Sequence, residues 1–201
     1  NLRTSIAAYL SVKYGISLDN PAHYIINDSV IWNAKVNNAY NGHIFGLGRN
    51  DYFKLYQHAS VNSENEDLRM SLADSTYFKQ DNTFILAGSN RRKMVFGHKK
   101  TADGYQVLEK KWLLQPTGTA ENRVNFQFEG ALQKDTVSAY FLVFDTQDTF
   151  ERMADKTLFK GYRKGNRLVF DEVNLKETGG GHGYFTLVKK ALLEVSFEVK
   201  E

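Results

Sequence analysis

The sequence predicts a mostly β protein, an antiparallel β-sandwich with one N-terminal helix. About ten short strand-like segments are separated by turn signals at regular spacing, which is typical of such sandwiches. Alternating helix and strand units are absent, which argues against a nucleotide-binding α/β fold. The 201 residues include 14 Phe, 11 Tyr and 2 Trp, enough apolar bulk for a sizeable core.

The predicted helix spans Leu2–Tyr14 and comes first in the chain. Its larger apolar residues recur every three or four positions, which predicts one buried stripe. That stripe consists of Leu2, Ile6, Tyr9, Leu10 and Tyr14. Gly15 stands where a left-handed C-cap belongs, and Pro21 prevents continuation of the helix.

Strand-like segments follow the helix to the end of the chain. They lie at 43–48, 68–72, 83–87, 94–96, 105–115, 123–129, 138–145, 158–162, 168–170, 184–188 and 193–199. Segment 138–145 is apolar at both odd and even positions, which predicts an interior strand covered on both faces. Residues 163–167 are predicted to form a hairpin turn between two strands.

Composition excludes several classes of site. The chain has no cysteine, which excludes a disulfide scaffold, a Cys-ligated metal site and thiol catalysis. It has no apolar run of about 20 residues, so neither a transmembrane helix nor membrane insertion is predicted. The net charge is +3. The basic clusters at 91–93 and 99–100 are interpreted as solvated loop charges, with contact to an anionic polymer as the alternative.

No motif in the chain predicts catalysis. The glycine-rich segment 179–183 is followed by a strand-like segment rather than a helix, so it is interpreted as a hairpin loop and not a phosphate loop. There is no nucleophile elbow around a serine and no closely spaced histidine pair for zinc. We therefore predict that the protein is not an enzyme, and we predict no cofactor apart from a weak calcium candidate.

That calcium candidate is an acidic loop that follows the interior strand. Asp145 and Asp148 could supply oxygen ligands to a metal ion. The alternative is a turn in which the Asp side chains cap their own backbone. The sequence favours the turn.

Three residues are predicted to have structural roles. Arg49 follows an apolar, glycine-flanked segment, and we expect it to be substantially buried and paired with Asp51 or another carboxylate. A substrate clamp is the alternative role for Arg49. Trp112 shares its strand face with other apolar residues and is expected in the core.

Four aromatic residues are candidates for ligand binding. If several lay on one surface, they could stack on sugars or pack on a partner; otherwise most belong to the core. They are Trp32, Tyr40, Tyr52 and Tyr56.

Several segments, taken in order, carry a resemblance to known proteins. The first is Tyr9-Leu10-Ser11-Val12-Lys13-Tyr14-Gly15-Ile16-Ser17-Leu18. The others are 30–34, 40–41, 44–51, 55–60, 84–88, 108–115, 140–143, 173–175 and 183–187. The ordered set resembles a β-rich domain of unknown function in large cell-surface proteins of Bacteroidetes, and the first segment resembles the closing helix of a LamG-like (concanavalin A-like) domain that precedes it there. Asn50 departs from the resembling proteins, which carry an acid at that position.

The resemblance implies an extracellular or cell-surface module within a longer chain, and the start at Asn1 without an initiator Met is typical of a fragment or mature product. Residues 1–15 would then close or link to an upstream lectin-like domain, and 16–201 would form one β-sandwich domain. The implied function is structural or adhesive and non-enzymatic. A carbohydrate-binding module and a glycan-active hydrolase are the alternatives. The implied partners are neighbouring domains of the polypeptide, with a glycan or a host surface protein as further candidates, but not nucleic acid.

Overall fold

A computed structural model describes residues 2–18, 23–73, 77–118, 123–129, 137–179 and 182–192. Helix α1 (Leu2–Tyr14) is followed in these ranges by sixteen strands and by two short 3-10 helices, Asn38–Tyr40 and Leu175–Thr178. The strands are β1 (Tyr24–Ile26), β2 (Ser29–Trp32), β3 (Gly42–Asn50), β4 (Leu55–Gln57), β5 (Ala59–Val61), β6 (Leu68–Leu72), β7 (Thr83–Ser89), β8 (Phe96–Lys100), β9 (Gln106–Leu108), β10 (Trp112–Thr117), β11 (Arg123–Phe128), β12 (Ser138–Asp145), β13 (Leu158–Lys160), β14 (Tyr162–Lys164), β15 (Arg167–Asn174) and β16 (Gly183–Ala191).

Two antiparallel sheets pack face to face, which confirms the predicted β-sandwich. The larger has nine strands, in the order β13-β12-β16-β10-β7-β3-β4, with β9 also paired to β16 and β8 paired to β9. The smaller has five strands, in the order β14-β15-β11-β6-β5. The main core fills the space between the sheets. At its centre the Trp112 ring stacks on Phe185, with centroids 5.6 Å apart, and meets the edge of Phe128 at 5.4 Å.

The outer face of the nine-stranded sheet is covered too, so the molecule has a third layer. Helix α1 and the β1–β2 hairpin lie over one part of this face and enclose a second apolar cluster with Phe84 and Leu86 of β7. A third cluster, around Val143 and Phe150, fills the other part. Double coverage explains why β7 is buried along its whole length.

The predicted interior strand and hairpin turn are both confirmed. Ser138–Asp145 is β12 and lies between β13 and β16. Strands β14 and β15 are joined by a two-residue turn in which Gly165 has φ +64°. Segment 105–115 is interrupted, since β9 ends at Leu108 and β10 begins at Trp112. The predicted strand 193–199, Pro21 and the centre of the glycine-rich loop lie outside the described residues.

Helix α1 has the predicted bounds but packs with the opposite face from the one predicted. Its buried residues are the small ones and one valine: Ser5, Ala8, Ser11 and Val12. Four residues of the predicted stripe are instead exposed: Leu2 (60%), Ile6 (40%), Leu10 (42%) and Tyr14 (56%). Small side chains allow the helix backbone to approach its neighbours closely. Of the predicted stripe, Tyr9 alone packs inward, and its ring stacks on that of Phe53 with centroids 5.1 Å apart.

Gly15 ends the helix as predicted. It has φ +61°, a backbone conformation that residues other than glycine rarely adopt. A Cβ atom at this position would lie 2.1 Å from the carbonyl oxygen of Val61. The Gly15 carbonyl in turn accepts hydrogen bonds from the backbone and side chain of Ser63. The cap therefore attaches the helix end to the β5–β6 connection.

Candidate functional site

Two of the four candidate aromatic residues are in the core. Trp32 is fully buried, and its Nε1 donates to Asn41 Oδ1 at 2.8 Å. Tyr40 is 4% exposed, and its hydroxyl donates to Asp148 Oδ2 at 3.0 Å. These two candidates are therefore core residues, as the sequence favoured for most of the four, and they do not contribute to an exposed aromatic surface. Both belong to the apolar cluster between the third layer and the nine-stranded sheet, a layer that the sequence pattern did not reveal.

Tyr52 and Tyr56 are exposed, and the Arg49 guanidinium lies 5.8 Å from the centre of the Tyr56 ring. The Arg49 guanidinium donates to both carboxylate oxygens of Asp51, at 2.8 and 2.9 Å, and to the carbonyls of Phe78 and Lys79 at 3.0 and 3.2 Å. The predicted pairing is confirmed. The burial was overestimated, because the Arg49 side chain is 27% exposed. All three guanidinium nitrogens are engaged, which favours the structural role over a substrate clamp.

Asn50 fixes the turn that carries this ion pair. Its side chain is buried, and its Oδ1 accepts a hydrogen bond from the backbone of Phe53 at 2.8 Å. Asp81 Oδ1 accepts from the backbone of Asp51 at 2.7 Å. The ion pair with Arg49 lowers the pKa of Asp51. These polar groups stabilise the β3–β4 turn itself.

The two calcium candidates are engaged by other groups of the chain. Asp145 forms an ion pair with Lys156 at 2.8 Å and accepts from the backbone of Gln147 at 3.2 Å, as the capped-turn interpretation requires. Asp148 accepts a hydrogen bond from the Tyr40 hydroxyl. Burial is the larger cause, and this hydrogen bond the second, of a raised pKa for the Tyr40 phenol. Within the described ranges, no three His, Asp or Glu side chains are grouped as a metal site would need.

A groove lies between the β8–β9 ribbon, the 3-10 helix Asn38–Tyr40 and the turn at Asp148–Thr149. We call it the β8–β9 groove; its volume is about 640 Å³. Its charged and titratable lining residues are Arg92, His98, Lys99, Glu109, Lys111 and Asp148. Sequence reasoning noted the basic clusters here but did not predict a groove, because the approach of the β9–β10 connection to the acidic loop is a tertiary contact.

The same region concentrates the positive charge of the molecule. Residues 90–111 contain seven Lys or Arg and two Asp or Glu, a net charge of +5, whereas the whole chain carries +3. The other residues therefore sum to −2. Lys110 is buried and paired with Asp67, but the remaining cations of this segment lie at or near the surface.

A smaller groove of about 390 Å³ lies on the outer face of the five-stranded sheet. Its carboxylates are already paired. Asp171 accepts from the Tyr162 hydroxyl, and Glu172 forms an ion pair with Arg123 at 2.9 Å. This pairing does not favour the two free carboxyl groups that a glycoside hydrolase needs.

The fold and these surfaces define a three-layer, mostly antiparallel β-sandwich domain with a surface helix and one basic groove. A family described as a domain of unknown function, DUF8202, matches residues 2–179, and the chain belongs to this family. No curated protein matches the chain, and no solved structure does. The matched region includes α1, in keeping with its packing on the sheets. None of the helices in the described ranges combines the length and the apolar character needed to cross a membrane.

Proposed function

We propose that this domain is a non-enzymatic structural and adhesive module of a secreted or cell-surface bacterial protein, and that α1 packs against a neighbouring domain of the same polypeptide. The observation that carries the proposal is the orientation of α1. Its small residues face the sandwich, and Leu2, Ile6, Leu10 and Tyr14 form an exposed apolar stripe.

A surface helix normally turns its larger apolar side chains toward its own core. Here the helix is held by Val12, by the Tyr9–Phe53 stack and by the Gly15 cap, so the exposed stripe is fixed in place. Burying the exposed parts of its four side chains would contribute several kcal/mol to an interface. A helix with both faces suited to packing is expected at a junction between two domains.

A neighbouring domain of the same chain is a better occupant than a second copy. A covalently linked domain has a high effective concentration, so a small apolar surface is enough to hold it. One helix face is small for an independent dimer, which needs about 800 Å² from each partner. The resemblance to proteins in which such a helix closes a LamG-like domain supports the same assignment, and with it the cell-surface setting.

The test compares the full-length polypeptide with a variant whose stripe is made polar, Ile6→Ser with Leu10→Ser. We expect the wild-type domain to unfold at a higher temperature beside its neighbour than alone, and the variant to lose that difference. The matched control is Val36→Ser, which changes an apolar residue 73% exposed away from the helix. If the stripe variant keeps the difference, α1 does not dock the neighbour. If the isolated chain forms dimers that the stripe variant abolishes, the occupant is a second copy.

A further inference from the structure

The β8–β9 groove presents cations that the rest of the chain leaves uncommitted. With the residues that the structure describes, the side chains of Arg92 and Lys99 make neither an ion pair nor a hydrogen bond. By contrast, Arg49 and Lys156, on other parts of the surface, are paired with Asp51 and Asp145. The groove therefore has capacity for an anionic group supplied from outside.

The backbone that carries these cations is held in a fixed arrangement. Asn90 Oδ1 accepts hydrogen bonds from the backbone nitrogens of Arg92 and Lys111, at 3.2 and 3.1 Å, and its Nδ2 donates to the Glu109 carbonyl at 3.0 Å. The half-buried Asn90 amide thus connects the loop after β7 to the β9–β10 connection. Charged groups on a preorganised backbone lose less entropy when they bind a ligand.

The groove also contains hydrogen-bond acceptors. Glu109 and Asp148 line it beside the cations, and the Lys111 ammonium donates to the Asp148 carbonyl while lying 5.2 Å from the centre of the Phe150 ring. Sugar hydroxyls both donate and accept, so a ligand that carries hydroxyls and acidic groups matches this mixture. The groove volume falls within the roughly 300–1,000 Å³ that is typical of ligand clefts.

We infer that the β8–β9 groove binds a segment of an acidic polysaccharide, a chain that bears carboxylate or sulfate groups. Arg92, Lys99 and Lys111 contact the acidic groups, and Glu109 with Asp148 accepts from the hydroxyls. The inference rests on the adhesive part of the proposed function and does not depend on docking by α1.

Nucleic acid fits this groove less well. Single-stranded binding sites stack bases on exposed aromatic rings, but Tyr40, the aromatic residue of the lining, is 4% exposed. The two carboxylates would also repel a continuous phosphodiester backbone. A polysaccharide with spaced charges avoids both difficulties.

The test measures binding of the isolated chain by calorimetry at low and physiological salt. The probes are polygalacturonate for carboxylates, dextran sulfate for sulfates, dextran as a neutral chain, and a single-stranded oligonucleotide. The groove variant is Arg92→Gln with Lys99→Gln. The control, Lys79→Gln with Lys160→Gln, removes the same charge at two exposed residues outside the groove. Far-ultraviolet circular dichroism and melting confirm that both variants are folded.

We expect one or both acidic polysaccharides to bind and dextran not to bind. The groove variant should lose about tenfold in affinity, and the control less than about twofold, because a charge-assisted contact contributes more than diffuse attraction. The better of the two acidic probes identifies the acidic group. Equal losses in both variants, tighter binding of the oligonucleotide, or no binding of either acidic probe at low salt would each overturn the inference. Those results would leave the helix-docking proposal unaffected, since no groove residue belongs to α1.

Discussion

Lys110 shows at the scale of one residue how this fold tolerates a buried charge. Its side chain is 2% exposed, and its Nζ lies 2.6 Å from Oδ2 of Asp67, the residue directly before β6. The Nζ atom also lies 5.8 Å from the centre of the Trp112 ring. A buried ammonium of this kind is stable only while its carboxylate remains, because the unpaired charge would have to be desolvated without compensation.

We therefore expect Asp67→Ala to destabilise the protein by about 3 kcal/mol, since it leaves the Lys110 charge unpaired. Lys110→Met should cost less, because methionine fills a similar volume and leaves Asp67, whose side chain is 27% exposed, accessible to water. Urea denaturation of the two variants measures the difference. If Lys110→Met were the more damaging change, the Lys110–Asp67 ion pair would contribute net stability, and the fold would do more than tolerate a buried charge.

The sequence could predict the Arg49–Asp51 ion pair but not the Lys110–Asp67 ion pair. Arg49 and Asp51 are two residues apart after an apolar strand, so their pairing follows from local geometry. Lys110 and Asp67 are 43 residues apart and meet through the stacking of two sheets. Lys110 also lies beside Glu109 and Lys111 in a run that resembles a solvated charge cluster. Nothing in that run marks its central residue as buried.

At the scale of an element, the segment that follows β12 is held over the large sheet by one carboxylate. Asp103 Oδ2 accepts hydrogen bonds from the backbone nitrogens of Met153 and Ala154, at 2.8 and 2.7 Å. Met153 is buried against Val143 and Val188. Burial acts to raise the pKa of Asp103. The hydrogen bonds from the backbone of Ala154, of Asp103 itself and of Met153, with one from the Thr101 side chain, together outweigh burial, so the pKa is lowered.

A lowered carboxyl pKa means that Asp103 stabilises the fold in its ionised form. That contribution is complete above the unfolded-state pKa of about 3.9 and is lost as the pH falls through the lower folded-state value. Asp103→Asn should therefore reduce stability at pH 7, by about 1–2 kcal/mol, and the difference in stability from wild type should shrink as the pH falls through the lowered folded-state pKa. Melting of both proteins between pH 2.5 and 7 provides the measurement. A gap that stays constant with pH would mean that the charge of Asp103 is not what holds the segment.

Element boundaries were more predictable than element orientation. The bounds of α1 follow from its periodicity and from Gly15, and the alternation in β11 places Val124, Phe126 and Phe128 in the core as expected. The inward face of α1 was not predictable from apolar periodicity. Close approach of the helix to the sheet favours Ala8 and Ser11 over leucine. The exposed stripe would lose its usual penalty if a neighbouring domain covers it, as proposed above.

At the scale of the whole molecule, the third layer decides what α1 contributes. Helix α1 and the β1–β2 hairpin cover apolar residues of β3, β7 and β10 that would otherwise face water. Two fully buried residues of the hairpin, Ile26 and Ile31, share that cluster with Ala8 and Val12 of the helix. The helix is thus part of this domain's core on one side, whatever it contacts on the other.

Deleting residues 1–14 should consequently destabilise the domain. The deletion removes the buried Val12 and Ala8 and exposes their apolar partners, a loss of at least about 3 kcal/mol, which corresponds to a melting temperature lower by roughly 6–12 °C for a domain of this size. The stripe variant Ile6→Ser with Leu10→Ser is the matched control, because it changes the exposed face and leaves the buried one intact. It should melt within about 2 °C of wild type, since surface substitutions cost little. If the deletion melts like the intact chain, α1 belongs to the neighbouring domain alone and the boundary lies near Ile16; if it melts far lower while the stripe variant does not, the buried face of α1 is part of this domain's core.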